Sequence, residues 1–134
     1  MKTVFTCGVF DLFHIGHLNL IKESKSYGDK LIVGINTDEF TLSYKNKRPV
    51  IPFEQRFEIL KSCKYVDLVV NAEEYLPLKY IKEYGVNVIT IGSDWKNTEI
   101  ESINWAKNNN VDVVYITYTQ NISTSHIIEK IKRL

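Results

Sequence analysis

Two kinds of apolar run alternate along this chain. Short stretches rich in β-branched residues, "KTVFTCG", "KLIVGIN", "YVDLVVNA", "VNVITIGSDW" and "VDVVYITYT", predict five buried strands. Between them, apolar residues recur at helical spacing. In "HIGHLNLIKESKSYGD", Ile15, Leu18 and Ile21 lie on one face, with Leu20 alongside and Gly28 as the stop. "TDEF" starts a helix with Thr37 as its cap and Asp38 and Glu39 in the first turn. In "PVIPFEQRFEILKSC", Pro52 opens a helix that carries Phe53, Phe57 and Leu60 on one side. "LPLKYIKEYG" predicts a short helix ending at Gly85. "EIESINWAKNNN" predicts another, with Ile100, Ile103 and Ala106 or Lys107 along one side and Trp105 in packing. "STSHIIEKIKRL" predicts a closing helix capped by Ser123 or Thr124.

Strands that alternate with helices build a parallel sheet covered on both faces, an α/β fold of three layers. No linker, repeat or low-complexity tract interrupts the pattern, and 134 residues suit one domain spanning 1–134. Such sheets bind ligands beyond the carboxyl ends of their strands. The unusual residues fall there: Gly8 to Asp11 after strand one, Asn36 to Asp38 after strand two, Gly92 to Trp95 after strand four, and Thr119 to Ser125 after strand five.

Composition narrows the partners. The formal net charge is +1, so the overall balance asks for neither nucleic acid nor an anionic membrane. One basic cluster, "YKNKR" at 44–48, reads most simply as a solvated loop. It is small and holds no aromatic beyond Tyr44, which argues against RNA. Cys7 and Cys63 lie far apart without metal spacing and read as reduced, partly buried thiols. The first residues lack a long apolar leader, and no apolar run reaches the length of a membrane span. The expectation is a cytoplasmic protein.

The candidate chemistry sits in "GVFDLFHIGHLNL", residues 8–20, where His14 and His17 flank Gly16 at a strand-to-helix junction. A metal site needs three or four ligands; the one further histidine, His126, lies in the last helix with no matching carboxylates. No G-x-S-x-G elbow supports a triad. Two readings stay open. In one, the pair donates imidazole N–H groups to a phosphate held at a helix N-terminus, with Gly16 leaving the floor open. In the other, the histidines merely cap the helix.

The motif "GVFDLFHIGH" resembles the H-x-G-H signature of the nucleotidyltransferase superfamily, in the form used by cytidylyltransferases. Class I aminoacyl-tRNA synthetases share the four-residue core, so the rest of the chain matters. "LIVGINTDEF" is similar to the family's second strand and turn, "KYVDLVV" to its Arg-Tyr-Val-Asp-Glu-Val, "IGSDW" to its Gly-Asp-Asp-Trp loop, and "YTQNISTSHI" to its Arg-Thr-x-Gly-Ile-Ser-Thr-Thr tail. The resemblance covers essentially the whole chain. In length and motif set it lies nearest the bacterial glycerol-3-phosphate cytidylyltransferases. It implies a Rossmann-like five-stranded sheet of order 3-2-1-4-5, a homodimer, Mg²⁺, and transfer of CMP from CTP to a small phosphomonoester such as glycerol 3-phosphate.

Carried over by resemblance, the backbone at Gly8, Val9 and Phe10 would hold the α-phosphate, and His14 and His17 the triphosphate and transition state. Lys45 or Lys47 would reach over the phosphates, in a loop one residue longer than in the glycerol-phosphate group. Arg56 would clamp a phosphate bidentately. Gly92, Asp94 and Trp95 would lie beside base and ribose, and Ile122, Ser123 and Thr124 beside the phosphates. Asp11, Asp38, Lys64 and Tyr118 complete the acceptor side, with Asp11 placing the loop or holding Mg²⁺ indirectly. No residue is assigned as a direct metal ligand. The plainer readings are helix caps for Asp11 and Asp38, solvated lysines, and a packed Trp95.

Three positions depart from the cytidylyltransferase pattern. Tyr118 and Lys64 stand where arginine is usual, and Asn121 where glycine is usual. Tyrosine removes a fixed charge and five donors; lysine keeps charge without the planar fork. Asn121 tolerates a left-handed backbone, so the turn can survive. "RPVIPFEQR" and "EEYLP" are instead similar to the adenylyltransferase branch that acts on heptose phosphate, which makes ATP and a sugar phosphate the alternative substrates. A nucleotide-binding module without turnover is the non-enzymatic alternative.

Overall fold

The computed structural model describes Met1 to Leu134. Its strands are β1 (Thr3–Gly8), β2 (Lys30–Asn36), β3 (Leu68–Ala72), β4 (Val88–Gly92) and β5 (Asp112–Ile116). Its helices are α1 (Ile15–Lys25), α2 (Asp38–Lys45), α3 (Phe53–Lys61), α4 (Leu78–Glu83), α5 (Glu101–Lys107) and α6 (Thr124–Lys132), with a 3₁₀ turn at Ser93–Trp95. All neighbouring strands are parallel, in the order β3-β2-β1-β4-β5. The sheet order reverses direction between β1 and β4, and β1 carries the histidine motif at its carboxyl end.

Alternation along β1 divides the core. Phe5 and Cys7 join Ile32, Leu76, Ile81, Ile89, Ile103 and Ala106 on the α4–α5 face. Val4 joins Ile21, Leu31, Val33, Ile35, Leu60 and Val88 on the α1–α3 face. Two buried apolar layers on opposite sides of one sheet are what period-two strands between amphipathic helices produce. Trp105 packs against the first layer, beneath the Lys82 ammonium at 5.5 Å. A polar knot pins α1 to the sheet. The Thr6 hydroxyl donates to the Thr90 carbonyl at 3.0 Å, and Ser24 and Thr90 hydroxyls meet at 2.7 Å. No helix is long and apolar enough to cross a membrane.

Several boundaries differ from the sequence pattern. Ile15 does not face the core: it is 54% exposed at the head of α1, beyond the end of the sheet. α1 closes at Lys25, before Gly28. The basic cluster is not all loop, because α2 runs through Tyr44 and Lys45. It stops at Asn46, whose left-handed φ of 58° caps it with a bond from its N–H to the Leu42 carbonyl. Both cysteines are free, and Cys7 is buried.

Candidate active site

The turn after β1 is held in a costly conformation. Phe10 and Leu12 have φ of 53° and 51°, in the left-handed region that L side chains avoid. Between them, the buried Asp11 carboxylate accepts from the backbone N–H groups of Val50 (2.7 Å) and Ile51 (2.9 Å). The Asp11 carbonyl accepts from the Thr124 hydroxyl at 2.9 Å. One residue thereby joins the β1 turn, the segment before α3 and the head of α6.

Arg56 fixes the same turn from beneath. It is 1% exposed. Its Nε donates to the Ile51 carbonyl (2.8 Å), Nη1 to the carbonyls of Val9 (2.7 Å) and Asn36 (2.9 Å), and Nη2 to Asp38 Oδ1 (2.7 Å). Four of the five guanidinium donors thus meet protein oxygens. Asp38 uses its other oxygen to accept from the Phe53 N–H at 3.3 Å, at the head of α3. Neither residue lines the cavity described below. The bidentate phosphate clamp expected of Arg56 is therefore not free to form, and Asp38 serves the scaffold.

The two histidines cap α1 reciprocally. His14 is the N-cap, and its Nδ1 accepts from the Gly16 N–H at 3.1 Å, while His17 Nδ1 accepts from the His14 N–H at 3.3 Å. Burial lowers the pKa of both. His17 is pushed down to about 3 by burial first, then by the charges of His14 and Lys45. Both rings are neutral near pH 7. With each Nδ1 accepting a bond, the ring proton resides on Nε2, and both Nε2 atoms become donors. Capping and ligand donation, the two readings open on sequence, are compatible: one nitrogen does each. The rings stack at 3.7 Å, and Phe10 and Phe13 bracket His17 at 5.4 and 5.6 Å. Gly16 does not leave an open floor. A Cβ there would lie 3.0 Å from His14 Cε1 and 3.4 Å from Ile122, so glycine makes room for the ring itself.

These elements enclose a cavity of about 430 Å³ at the carboxyl end of the sheet. Gly8, Val9, Phe10 and Asp11 form its floor, and His17 one side. Lys45, Lys47 and Arg48 make a cationic wall. Gly92, Trp95 and Tyr118 line it from the ends of β4 and β5, and Thr124 and Ser125 from the head of α6. Burial and the neighbouring Lys47 lower the Lys45 pKa, offset in part by Asp11 and Asp94. His14 stands beside His17 at the edge, with Thr124 Oγ1 3.5 Å from its Nε2. Ser123 caps α6 through the His126 N–H at 3.1 Å. Asn121 takes the left-handed φ of 61° that its side chain tolerates.

Lys64 is not brought to this place. It is exposed ahead of β3, at the opposite end of the sheet, over the Tyr65 ring. Sequence reading also missed several lining residues: Thr41, Tyr44, Arg48, Val50, Tyr75 and Ser125. Tyr75 stacks on Trp95 at 4.1 Å. It belongs to "EEYLP", and Arg48 to the basic cluster, so both lay in segments already singled out. Nothing local marked Thr41. No group of three or more His, Cys, Asp or Glu side chains could hold a metal ion, and both Asp11 oxygens are already engaged.

Comparison with known proteins gives the family and supports the fold. The family model described as cytidylyltransferase-like matches residues 5–130. The bifunctional protein HldE of Helicobacter pylori is 39% identical over 133 residues, and that of Cronobacter sakazakii 37%. Each match covers 98% of this chain but 28% of the relative, so the chain spans little more than a quarter of their length. A crystal structure described as a lipopolysaccharide core biosynthesis protein from Thermoplasma volcanium superposes with a TM-score of 0.74 at 28% identity, covering 90% of this chain and 99% of that one. Pantoate-beta-alanine ligase from Francisella tularensis, 19% identical, shares the fold with a TM-score of 0.57 over 99% of this chain and 72% of its own.

Proposed function

Because this chain belongs to the cytidylyltransferase-like family, we propose that it is a nucleotidyltransferase that moves AMP from ATP to a sugar phosphate such as heptose phosphate, releasing pyrophosphate. The HldE relatives and the lipopolysaccharide core biosynthesis protein favour this acceptor class over the glycerol phosphate suggested by chain length and motif set. The HldE relatives favour ATP over CTP as well. "RPVIPFEQR" and "EEYLP" point the same way. CTP with glycerol 3-phosphate is the second reading, and "GSDW" with "ISTS" is the observation in its favour.

One observation carries the mechanism: two neutral imidazoles, each with Nδ1 engaged by backbone, present Nε2–H donors where a helix N-terminus meets a cationic wall. The acceptor's phosphate has a second pKa near ~6 and is largely dianionic at neutral pH, so it needs no general base. One of its oxygens attacks the α-phosphorus as the bond to the pyrophosphate oxygen breaks. The obstacle is repulsion between anions. Lys45, Lys47 and Arg48 lower it, and the imidazole donors strengthen their bonds as charge accumulates on the transferred group. Mg²⁺ belongs to this proposal as a companion of the nucleotide phosphates. The chain's own side chains do not build a site for it. The homodimer implied by family resemblance is likewise proposed, and sedimentation checks it.

Pyrophosphate release tests the reading, with ATP or CTP offered against sugar phosphates and glycerol 3-phosphate, Mg²⁺ present. Turnover with ATP and a sugar phosphate is expected, with His14→Ala and His17→Ala both inactive. Turnover confined to CTP and glycerol 3-phosphate would replace it by the second reading. Nucleotide binding without product from any pair would make the protein a binding module.

A further inference from the structure

Tyr118 is placed unlike any other side chain at the cavity. Its hydroxyl donates to Asp94 Oδ1 at 2.8 Å, and the phenol lies directly over Gly92, where a built Cβ would fall 2.2 Å from the Tyr118 oxygen and 2.5 Å from Cζ. The backbone of Gly92 is ordinary, with φ −60° and ψ 144°. Glycine is thus needed there for close approach and not for conformation, and what approaches is Tyr118. Residues from the end of β4, the 3₁₀ turn and the segment after β5 are locked together by this one phenol. Trp95, at the end of that turn, is stacked on Tyr75 at 4.1 Å.

The cations of the cavity share one origin. Every lysine and arginine that lines it comes from the segment 45–48. Trp95, Tyr75 and Tyr118 bring no cation to it, and burial and Asp94 raise the Tyr118 pKa, so the phenol stays protonated. A phosphate meets no cation among these three side chains. An uncharged, flat group gains stacking area and one fixed carboxylate at the rim.

Resting on the nucleotidyltransferase reading, we propose that Tyr118 is a specificity-determining residue. Clamped by Asp94 over Gly92, it lines the cavity with Trp95 and sets which nucleoside can enter, and it takes no part in holding phosphate. The half-exposed ring, 50% accessible, is free to contact ligand on its open face.

Calorimetric titration of the whole chain with ATP, CTP and inorganic tripolyphosphate, each with Mg²⁺, tests this. Wild type should prefer one nucleotide. In Tyr118→Ala that preference should fall at least tenfold, with tripolyphosphate affinity unchanged within twofold. Tyr118→Phe keeps the ring but loses the bond to Asp94 and should retain part of the preference. Gly92→Ala should displace the phenol and lose the preference with Tyr118 still present. Loss of tripolyphosphate affinity in Tyr118→Ala would make the residue a phosphate ligand and overturn the proposal. Equal weakening of all three ligands in step with a lowered Tm would make it a purely structural contact and overturn it too. If wild type binds tripolyphosphate but neither nucleotide, the nucleotidyltransferase reading itself fails, a result distinct from the others.

Discussion

Replacing Arg56 by methionine separates a structural from a ligand-binding role. Methionine keeps the apolar stem of the side chain, about as far as Nε, and removes every donor. Three backbone carbonyls, of Val9, Asn36 and Ile51, and one Asp38 oxygen then lose their partner. Each bond from a charged donor is worth about 1.5–3 kcal/mol, but the sum overstates the loss because water enters and the backbone relaxes. Breaking a buried ionic cluster from one side costs about 3–5 kcal/mol, and the partly exposed Asp38 favours the middle of that range, about 4. A urea dependence of about 1–3 kcal/mol per molar converts this into a midpoint about 2 M lower. Arg56→Lys should recover less than half, since one ammonium cannot reach carbonyls at the ends of β1 and β2 and before α3 together. Equilibrium urea denaturation followed by circular dichroism measures both variants. A midpoint within about 0.5 M of wild type for Arg56→Met, coupled with lost nucleotide binding, would refute the argument and restore Arg56 as a phosphate clamp.

Three further perturbations follow from the same geometry. Asp11→Asn leaves one oxygen to serve two N–H groups, so it should cost about 1–2 kcal/mol in urea denaturation and raise KM for the acceptor as the 46–52 segment loosens. Gly16→Ala should leave stability within about 1 kcal/mol. It should still lower kcat at least tenfold, because the new methyl displaces the His14 ring, as steady-state pyrophosphate release would show. The His17 pKa of about 3 lies below the 6.5 of a free imidazole, so protonation favours the unfolded chain. Its contribution to stability is complete above pH 6.5 and is lost as the pH falls toward its folded value. The slope is about 1.4 kcal/mol per pH unit. Urea midpoints between pH 6.5 and 5 should therefore fall less steeply in His17→Gln than in wild type, and parallel slopes would contradict the buried neutral ring.

What could be read from sequence was what depends on neighbours along the chain. Strand periodicity placed β2 at Lys30–Asn36, Thr37 capped α2, and Asn121 accepted the left-handed turn foreseen for it. The order 3-2-1-4-5 needed the family resemblance, because periodicity does not say which strands pair. What escaped was what depends on residues far apart. A cation in "PFEQRF" looks the same whether it faces solvent, phosphate or three carbonyls, and the carbonyls that claim Arg56 come from residues 9, 36 and 51. Asp11 reads as a helix cap, an indirect metal partner or a residue that places the loop, and only Val50 and Ile51, some forty positions on, decide for the last by directing their N–H groups at it. Gly92 is placed beside base and ribose by resemblance, yet the group that lies over it is Tyr118 of the same chain. In each case the sequence identifies a residue with unusual capacity, a guanidinium, a carboxylate or a bare Cα, and the fold decides what fills that capacity. The histidines are the exception. Their spacing on one helical turn determines that each Nδ1 meets backbone, and with Nδ1 engaged and the ring buried neutral, Nε2 must donate. Local geometry alone therefore prepares the donors. The cavity needs the distant residues, and those are where substrate choice is decided.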